Sequence, residues 1–137
     1  MERIKENLTT EGNYTFGAFE KEELVGVVTL LQESSLKLRH RANIYAMYVT
    51  PKRRGGGLGK ALLLEAINKA KSIGGIEKLN LSVVSTNENA KQLYSTMGFK
   101  VFGREEKALK INDTHYDEEH MVLFLTKEQL NFRSIII

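Results

Sequence analysis

One glycine-rich stretch decides the fold of this chain: Val49-Thr50-Pro51-Lys52-Arg53-Arg54-Gly55-Gly56-Gly57-Leu58-Gly59-Lys60. It lies between a predicted strand and the predicted start of a helix. Glycines let the backbone adopt positive φ and approach a ligand closely, and the first turn of a helix presents unsatisfied N–H groups with a partial positive charge. The same stretch carries four cations, Lys52, Arg53, Arg54 and Lys60. This combination is typical of a phosphate cradle.

The hydrophobic patterns on either side of the cradle predict a mixed α/β fold. Alternation with a period of two predicts strands over 14–19, 24–31, 44–49 and 79–83, with a turn over 20–23 between the first two. The strand over 44–49 is apolar on both faces, so we expect it to be central in its sheet. Apolar residues at three- and four-residue intervals predict a helix over 58–73 that ends at Gly74 and Gly75. The order strand, helix, strand predicts a parallel crossover.

The remaining segments predict a second helix and two more strands. Ser85 and Glu88 form a potential capping box, with Asn87 as an equally good cap, for a short helix that runs to Met97. Its predicted buried stripe is Ala90, Leu93, Tyr94 and Met97, and Gly98 is expected to end it. A strand is predicted to begin over 99–103, followed by an irregular charged stretch and a last strand over 121–125. Near the start, Ile4 and Leu8 predict a short helix that ends before Gly12.

Composition excludes several classes of protein. The chain has 137 residues and no cysteine, which predicts a single domain over 1–137 without a thiolate nucleophile or thiolate metal site. The longest apolar runs, 44–49 and 121–125, are too short to span a membrane. Residues 1–6 lack the apolar core of a signal peptide, which favours the cytoplasm. The net charge of +3 fits a small anionic ligand better than a nucleic acid.

Spacing excludes two nucleotide-binding motifs. A Walker loop requires a glycine five residues before Gly59 and a hydroxyl after Lys60, where this chain has Arg54 and Ala61. The dinucleotide motif, counted from Gly55 and Gly57, requires a third glycine where Lys60 stands. A flexible linker before a helix is the structural alternative, and the regular patterns on both sides argue against it.

Two motifs resemble the GNAT N-acetyltransferase superfamily. Val49-x-Pro51 followed by Arg54-x-x-Gly57-x-Gly59 resembles its acyl-CoA pyrophosphate loop. Asn87-x-x-Ala90-x-x-Leu93-Tyr94-x-x-x-Gly98-Phe99 resembles its following helix and strand. The motifs occur in the family's order, and the resemblance covers about 14–125. It implies a GNAT-like α/β fold, in which a mixed, mostly antiparallel sheet contains a splayed parallel strand pair and has flanking helices.

The resemblance also implies a reaction, the direct transfer of an acetyl group from acetyl-CoA to a primary amine of a small molecule or a protein, without a metal. It implies that pyrophosphate is bound by the backbone of Arg54, Gly55, Gly56, Gly57, Leu58, Gly59 and Lys60. The main chain near Tyr48 and Val49 would pair with the pantetheine arm, and Asn87 would contact that arm. Tyr94 would protonate the leaving thiolate. The residues alone leave an alternative open, because an amphipathic helix often buries a tyrosine simply as core.

The sequence does not offer a general base where some family members carry a glutamate. The corresponding residue is about Asn43, and 43–49 contains no carboxylate. The cluster His115-Tyr116-Asp117-Glu118-Glu119-His120 offers His115 or Glu119 as a base acting through a water, with a solvated turn as the alternative. We do not expect His115, Asp117 and His120 to bind a metal, because nothing in the sequence places them on a common face.

The chain's ends and the missing base leave alternatives open. Thirteen residues precede Tyr14, too few for the family's usual first strand and two helices, so the acceptor side is either open or completed by a second subunit in a homodimer. Residues 126–130 predict a turn of helix, and 135–137 are expected to form a strand or pack on a neighbour, with a disordered tail as the alternative. A catalytically inactive acyl-CoA-binding regulatory domain is one rival function. A nucleic-acid-binding module is another, but its basic patch is small and lacks interleaved aromatic residues.

Overall fold

A single seven-stranded sheet organises the part of the chain that the structure, a computed structural model, describes, namely residues 2–10 and 12–125. The elements are β1 (Glu2–Thr10), β2 (Asn13–Glu20), β3 (Glu23–Gln32), β4 (Arg41–Val49), a short 3₁₀ helix (Pro51–Arg53), α1 (Leu58–Ser72), β5 (Lys78–Val84), α2 (Glu88–Thr96), β6 (Lys100–Ile111) and β7 (Thr114–Phe124). The strand order is β1-β2-β3-β4-β5-β7-β6. Within the described ranges, only β4 and β5 pair in parallel; the other neighbours are antiparallel. The predicted mixed sheet with one parallel pair is confirmed.

Both α-helices lie on one face of the sheet. The fully buried side of α1, which includes Leu62, Leu63 and Ala66, packs on β2, β3 and β4, where Val28 and Leu30 are also fully buried. Burying each leucine stabilises the fold by about 1.5–3 kcal/mol. The second helix lies beside the first, because a Cβ at Gly59 of α1 would be 3.4 Å from a methyl of Leu93 on α2. Among the described residues, no α-helix covers the opposite face.

The expected N-terminal helix is wrong, since residues 2–10 form strand β1. Ile4 pairs with Ala18 and Leu8 with Tyr14 across an antiparallel ladder. A spacing of four places two residues on the same side of a helix and also on the same side of a strand. Two apolar residues four apart therefore did not distinguish the two structures.

The expected irregular stretch before the last strand is also wrong. The strands β6 and β7 form one long hairpin with its turn at Asn112 and Asp113, both at positive φ. Side chains on both faces of β6 are mostly solvent-exposed, so its sequence lacks the apolar alternation by which a half-buried strand is recognised. Likewise, 114–120 belongs to β7 rather than to a solvated turn.

The ends of the other elements agree closely with the sequence. The turn between β2 and β3 is formed by Lys21 and Glu22, and α1 ends one residue before its predicted end. The predictions for 126–130 and 135–137 lie outside the described residues. No helix within the described ranges is long and apolar enough to cross a membrane.

Candidate active site

The glycine-rich loop leads into an open helix N-terminus. Gly55 has φ +84°, and Gly57, the N-cap residue of α1, has φ +86°. A Cβ at either glycine would meet no atom within 4 Å, so the backbone conformation, rather than crowding, requires glycine there. No side chain caps α1 and its first turn contains no acidic residue. The N–H groups of that turn are therefore available to an anion.

Two arginines brace the loop against the sheet. Arg53 forms an ion pair with Glu20 at the end of β2. The Arg54 Nε atom donates to the carbonyl oxygen of Val49 at 2.9 Å, and its guanidinium lies 5.4 Å from the centre of the Tyr48 ring. Arg54 is thereby held at the end of β4, beside the helix N-terminus. The contacts of Arg54 hold its positive charge next to the helix N-terminus, whereas the charge of Arg53 is paired with that of Glu20.

A gap opens between the parallel strands next to this loop. Pairing between β4 and β5 is restricted to 41–43 with 78–80, although both strands continue further. On its other edge β4 carries a bulge, where Ala46 has φ +55° and the register against β3 shifts. From Ile44 onward, the β4 edge that faces β5 has no strand partner among the described residues. Its main-chain groups face a cleft of about 1170 Å³, lined also by the glycine loop, β5, α2 and β7.

Asn87 starts α2 and lines the cleft. Its Oδ1 accepts the N–H of Ala90 at 3.2 Å, so Asn87, not Ser85, is the cap residue. The helix is anchored by Lys91, whose Nζ lies 2.9 Å from the Ser85 carbonyl oxygen and 3.2 Å from the Glu119 carboxylate. The Glu119 carboxylate raises the pKa of Lys91. This anchor fixes α2 on β7 and thereby fixes the residues that α2 presents to the cleft.

Tyr94 is buried on α2 and lines the same cleft. Its ring meets Phe99 edge to face, with the ring centres 6.0 Å apart. Burial raises the pKa of the Tyr94 phenol, so the group stays protonated well above neutral pH. Its hydroxyl has no hydrogen-bond partner among the residues that the structure describes. The other members of the predicted stripe, Ala90, Leu93 and Met97, are partly buried against the core.

The cluster over 115–120 is divided between the two faces of β7. Glu119 is paired with Lys91 and, at 3.6 Å, with Arg104. Asp117 accepts a hydrogen bond from Arg104 at 2.8 Å and another from the Lys107 N–H at 2.9 Å. Both contacts lower the pKa of its carboxyl group, and the contact with the Lys107 N–H has the larger effect. His115 lies next to the hairpin turn, opposite Lys110. Of the two predicted base candidates, Glu119 therefore lies in an ion pair and His115 lies at the turn end of the hairpin.

Sequence reasoning missed the members of this cluster that do line the cleft, Glu118 and His120. Strand alternation would have separated them from Asp117 and Glu119, had the stretch been identified as a strand. Asn43 also lines the cleft, and its side-chain nitrogen donates to Glu33 at 2.7 Å. Among the described residues, no group of three or more His, Asp or Glu side chains is arranged to hold a metal ion.

The chain is similar to known acetyltransferases. The family model described as Acetyltransferase (GNAT) family matches residues 1–99. The acetyltransferase of the GNAT family from Streptococcus pneumoniae is 26% identical, with 85% of this chain and 70% of that chain covered and a TM-score of 0.80. A probable acetyltransferase from Staphylococcus epidermidis ATCC 12228 is 30% identical over 88% of this chain and 72% of that chain, with a TM-score of 0.78.

A third similar structure is that of Arabidopsis thaliana NAA60 in complex with a bisubstrate analogue. It is 26% identical over 82% of this chain and 75% of that chain, with a TM-score of 0.74. NAA60 has also been solved in complex with acetyl-CoA. A comparison with curated proteins finds no match. The family model covers well over half of the sequence and the fold agrees, so the chain belongs to the GNAT acetyltransferase family.

Proposed function

We propose that this protein transfers an acetyl group from acetyl-CoA directly to a primary amine of a small molecule or a protein. The observation that carries the proposal is the open N-terminus of α1, with Gly55 and Gly57 in the left-handed conformation, beside the gap between β4 and β5. The amides of 55–60 suit the diphosphate of coenzyme A, because diphosphate is a multiply charged anion and each amide donates one hydrogen bond. The Arg54 N–H already donates to the Pro51 carbonyl oxygen, so Arg54 would contribute its charge rather than its amide.

The gap provides for the rest of the donor. The pantetheine arm is an extended chain with two amide groups, and the unpaired main-chain edge of β4 at Tyr48 and Val49 offers it complementary hydrogen bonds. Asn87 lines the gap from the opposite side, and its side-chain nitrogen has no partner among the described residues. The arm would thus be held between β4 and the start of α2.

Two groups in the cleft match the chemistry of acyl transfer. Main-chain N–H groups at the bulge of β4 would polarise the acetyl carbonyl as charge develops on its oxygen. The protonated phenol of Tyr94 would give its proton to the sulfur as the carbon–sulfur bond breaks. A buried, neutral phenol suits this role, because it holds its proton until thiolate forms beside it.

The test compares Tyr94→Phe with Tyr116→Phe, which removes a phenol on the outer hairpin. Acceptors come from mass spectrometry of amine and peptide libraries incubated with acetyl-CoA. Loss of a general acid lowers turnover by about a hundredfold or more. We expect that loss in Tyr94→Phe alone, with acetyl-CoA affinity by calorimetry nearly unchanged. Wild-type turnover in Tyr94→Phe would remove the phenol from the mechanism.

An acyl-CoA-binding regulatory domain without turnover is the second candidate. Two observations favour it. Asn43 stands at about the position where some family members carry a glutamate. No described α-helix covers the face of the sheet opposite to α1 and α2. Tight binding of acetyl-CoA without release of coenzyme A to any amine would support this candidate and contradict the enzyme. The cytoplasmic location and the homodimer stay predictions from the sequence.

A further inference from the structure

Three side chains from three strands form a continuous hydrogen-bonded chain at the cleft. The Oε1 atom of Glu105 on β6 lies 3.2 Å from Nε2 of His120 on β7. The Nδ1 atom of the same ring lies 2.7 Å from Oγ of Ser82 on β5. Ser82 and His120 are directly opposite each other in the antiparallel ladder between β5 and β7. The strand register therefore fixes this chain of contacts.

The chemistry of the three groups gives the chain a direction. An ionised carboxylate only accepts hydrogen bonds, so Glu105 requires the Nε2 atom of His120 to carry a proton. In a neutral imidazole the Nδ1 atom then holds a lone pair and accepts from the Ser82 hydroxyl. The lone pairs of the Ser82 oxygen are consequently available to a donor in the cleft.

This hydrogen-bonded series of side chains ends at Ser82, on the side of the sheet opposite to Tyr94. Along β5, Leu81 and Val83 are buried in the core beneath the helices, and Ser82 between them is exposed on the other face. Tyr94 belongs to that same core. Ser82, His120 and Tyr94 nevertheless line one cleft, because the gap between β4 and β5 connects the two faces. An amine that enters from the open face would meet Ser82, with the thioester sulfur on the side of Tyr94.

We infer that His120 is the proton acceptor for the amine, acting through the Ser82 hydroxyl, and that Glu105 is a positioning residue that sets its tautomer. The inference rests on the proposed function. The ammonium form of the acceptor gives one proton to Ser82 Oγ while Ser82 gives its own proton to His120 Nδ1. The free amine then attacks, the carbon–nitrogen bond forms, and the carbon–sulfur bond breaks. Tyr94 protonates the departing sulfur. The attacking nitrogen, which is positively charged once the carbon–nitrogen bond has formed, returns its extra proton to the Tyr94 phenolate and leaves a neutral amide, and His120 returns its proton to solvent.

The surroundings of His120 offer few competing groups. On β6 the ring faces Glu105, with the Phe102 ring centre 6.1 Å away, and on β5 it faces Ser82. On its own strand, Glu118 lines the same cleft and pairs in register with Glu105. Glu118 is the one rival carboxylate in the described lining of the cleft, and the test includes it.

The kinetic test uses acetyl-CoA with spermidine, lysine amide and a peptide with a free N-terminus as acceptor probes, together with any acceptor that the library screen returns. General-base loss costs about a hundredfold or more in kcat. We expect that fall in His120→Gln and Ser82→Ala, with little change in KM, and a smaller fall in Glu105→Gln. Ser82→Thr keeps a hydroxyl and should therefore retain most of the wild-type kcat that Ser82→Ala loses. His115→Gln, on the same strand but outside the cleft, is the matched control and should transfer like wild type.

A second measurement needs no turnover. Nitrogen-15 NMR of the imidazole rings should show His120 protonated at Nε2 in the resting protein, and Glu105→Gln should weaken that preference. A ring protonated at Nδ1 would overturn the inference, because no lone pair would then face Ser82. Wild-type kcat in His120→Gln, or a loss in Glu118→Gln alone, would also overturn it.

The failures of the two proposals are distinguishable. If wild-type protein does not bind acetyl-CoA by calorimetry, the proposed function fails, and the proton relay through Ser82 to His120 (hereafter the relay) fails with it. If binding and transfer are normal but His120→Gln matches His115→Gln, only the relay fails. An acetyl group found covalently on Ser82 would contradict the relay, because Ser82 would then be a nucleophile rather than a carrier of protons.

Discussion

Asn43 and Asn80 are opposite each other and are the last residues at which β4 pairs with β5; beyond them the two strands diverge. Each strand stays fixed on its other side, since β4 pairs with β3 as far as Val49 and β5 pairs with β7 as far as Val84. Asn80 is buried at the closed end of the gap, and its Oδ1 has no hydrogen-bond partner among the described residues. The gap is therefore a fixed feature of the sheet with a polar closed end.

The close approach of α1 to the sheet depends on Gly26. A Cβ at this position would lie 2.8 Å from a methyl of Leu62 and 3.3 Å from the carbonyl oxygen of Tyr48. Overpacking of this kind costs about 1–3 kcal/mol. We expect Gly26→Ala to lower the free energy of unfolding by that amount in urea titrations. Gly103→Ala, where a Cβ would meet no atom within 4 Å, is the control. Equal stability of the two variants would contradict the packing described.

A carboxylate at Gly57 tests the phosphate cradle. Two like charges 4 Å apart near a protein surface repel by about 4 kcal/mol, and about 1.4 kcal/mol is a tenfold change in affinity. Gly57→Asp should therefore weaken acetyl-CoA binding by much more than about tenfold, as measured by calorimetry. The fold should survive, because aspartate is a favourable N-cap residue and tolerates the left-handed conformation better than most residues.

Two controls separate charge from backbone strain at Gly57. Gly57→Asn has nearly the same shape without the charge and should retain more affinity. Gly75→Asp places the same carboxylate at a left-handed glycine with open space beyond the other end of α1, and it should bind as wild type does. Unaltered affinity in Gly57→Asp would show that the diphosphate binds elsewhere.

The buried phenol of Tyr94 predicts an alkaline titration. Burial raises its pKa above the ordinary value of 10.0. The difference in phenolate absorbance between wild type and Tyr94→Phe should therefore have its midpoint above pH 10. Because the unfolded chain ionises first, this residue should also make the folded state lose stability as pH rises above about 10. A midpoint at or below the ordinary value would contradict the burial of Tyr94.

Asp117 predicts an acid sensitivity of the β6–β7 hairpin. Its pKa is lowered by the Lys107 N–H and by Arg104. The carboxylate therefore contributes its full stabilisation above its ordinary pKa of about 3.9, and loses it as pH falls through the lower folded value. Asp117→Ala, which removes the acceptor oxygen, should raise hydrogen exchange at the Lys107 amide near neutral pH and remove part of the acid dependence. Asp113→Asn, at the exposed turn, should change neither. Unchanged Lys107 protection in Asp117→Ala would contradict the contact.

The sequence predicts elements well where burial is periodic. The helix α1 and the strands β2 to β5 bury one face, so apolar residues mark them. Strand β1 was mistaken for a helix because two apolar residues four positions apart are compatible with either structure. The hairpin was missed because both faces of β6 are largely exposed. These errors follow from the signal itself, since a solvated strand leaves little hydrophobic pattern.

The site divides in the same way. The glycine loop and α2 are each a single continuous segment of the sequence, so the motif of each can be identified without a structure. The chain of Glu105, His120 and Ser82 joins three strands, and its members are 15 and 38 residues apart. Only the register of β5, β7 and β6 brings them together. Local patterns in one sequence do not contain that register.

A crystal structure of the protein with acetyl-CoA tests the central claim most directly. The account predicts the diphosphate oxygens within about 2.7–3.2 Å of main-chain nitrogens of 55–60, the hydrogen-bonding range, with the pantetheine arm along β4 and the thioester between Tyr94 and Ser82. Acetyl-CoA bound elsewhere, with the amides at the start of α1 free of it, would contradict the account.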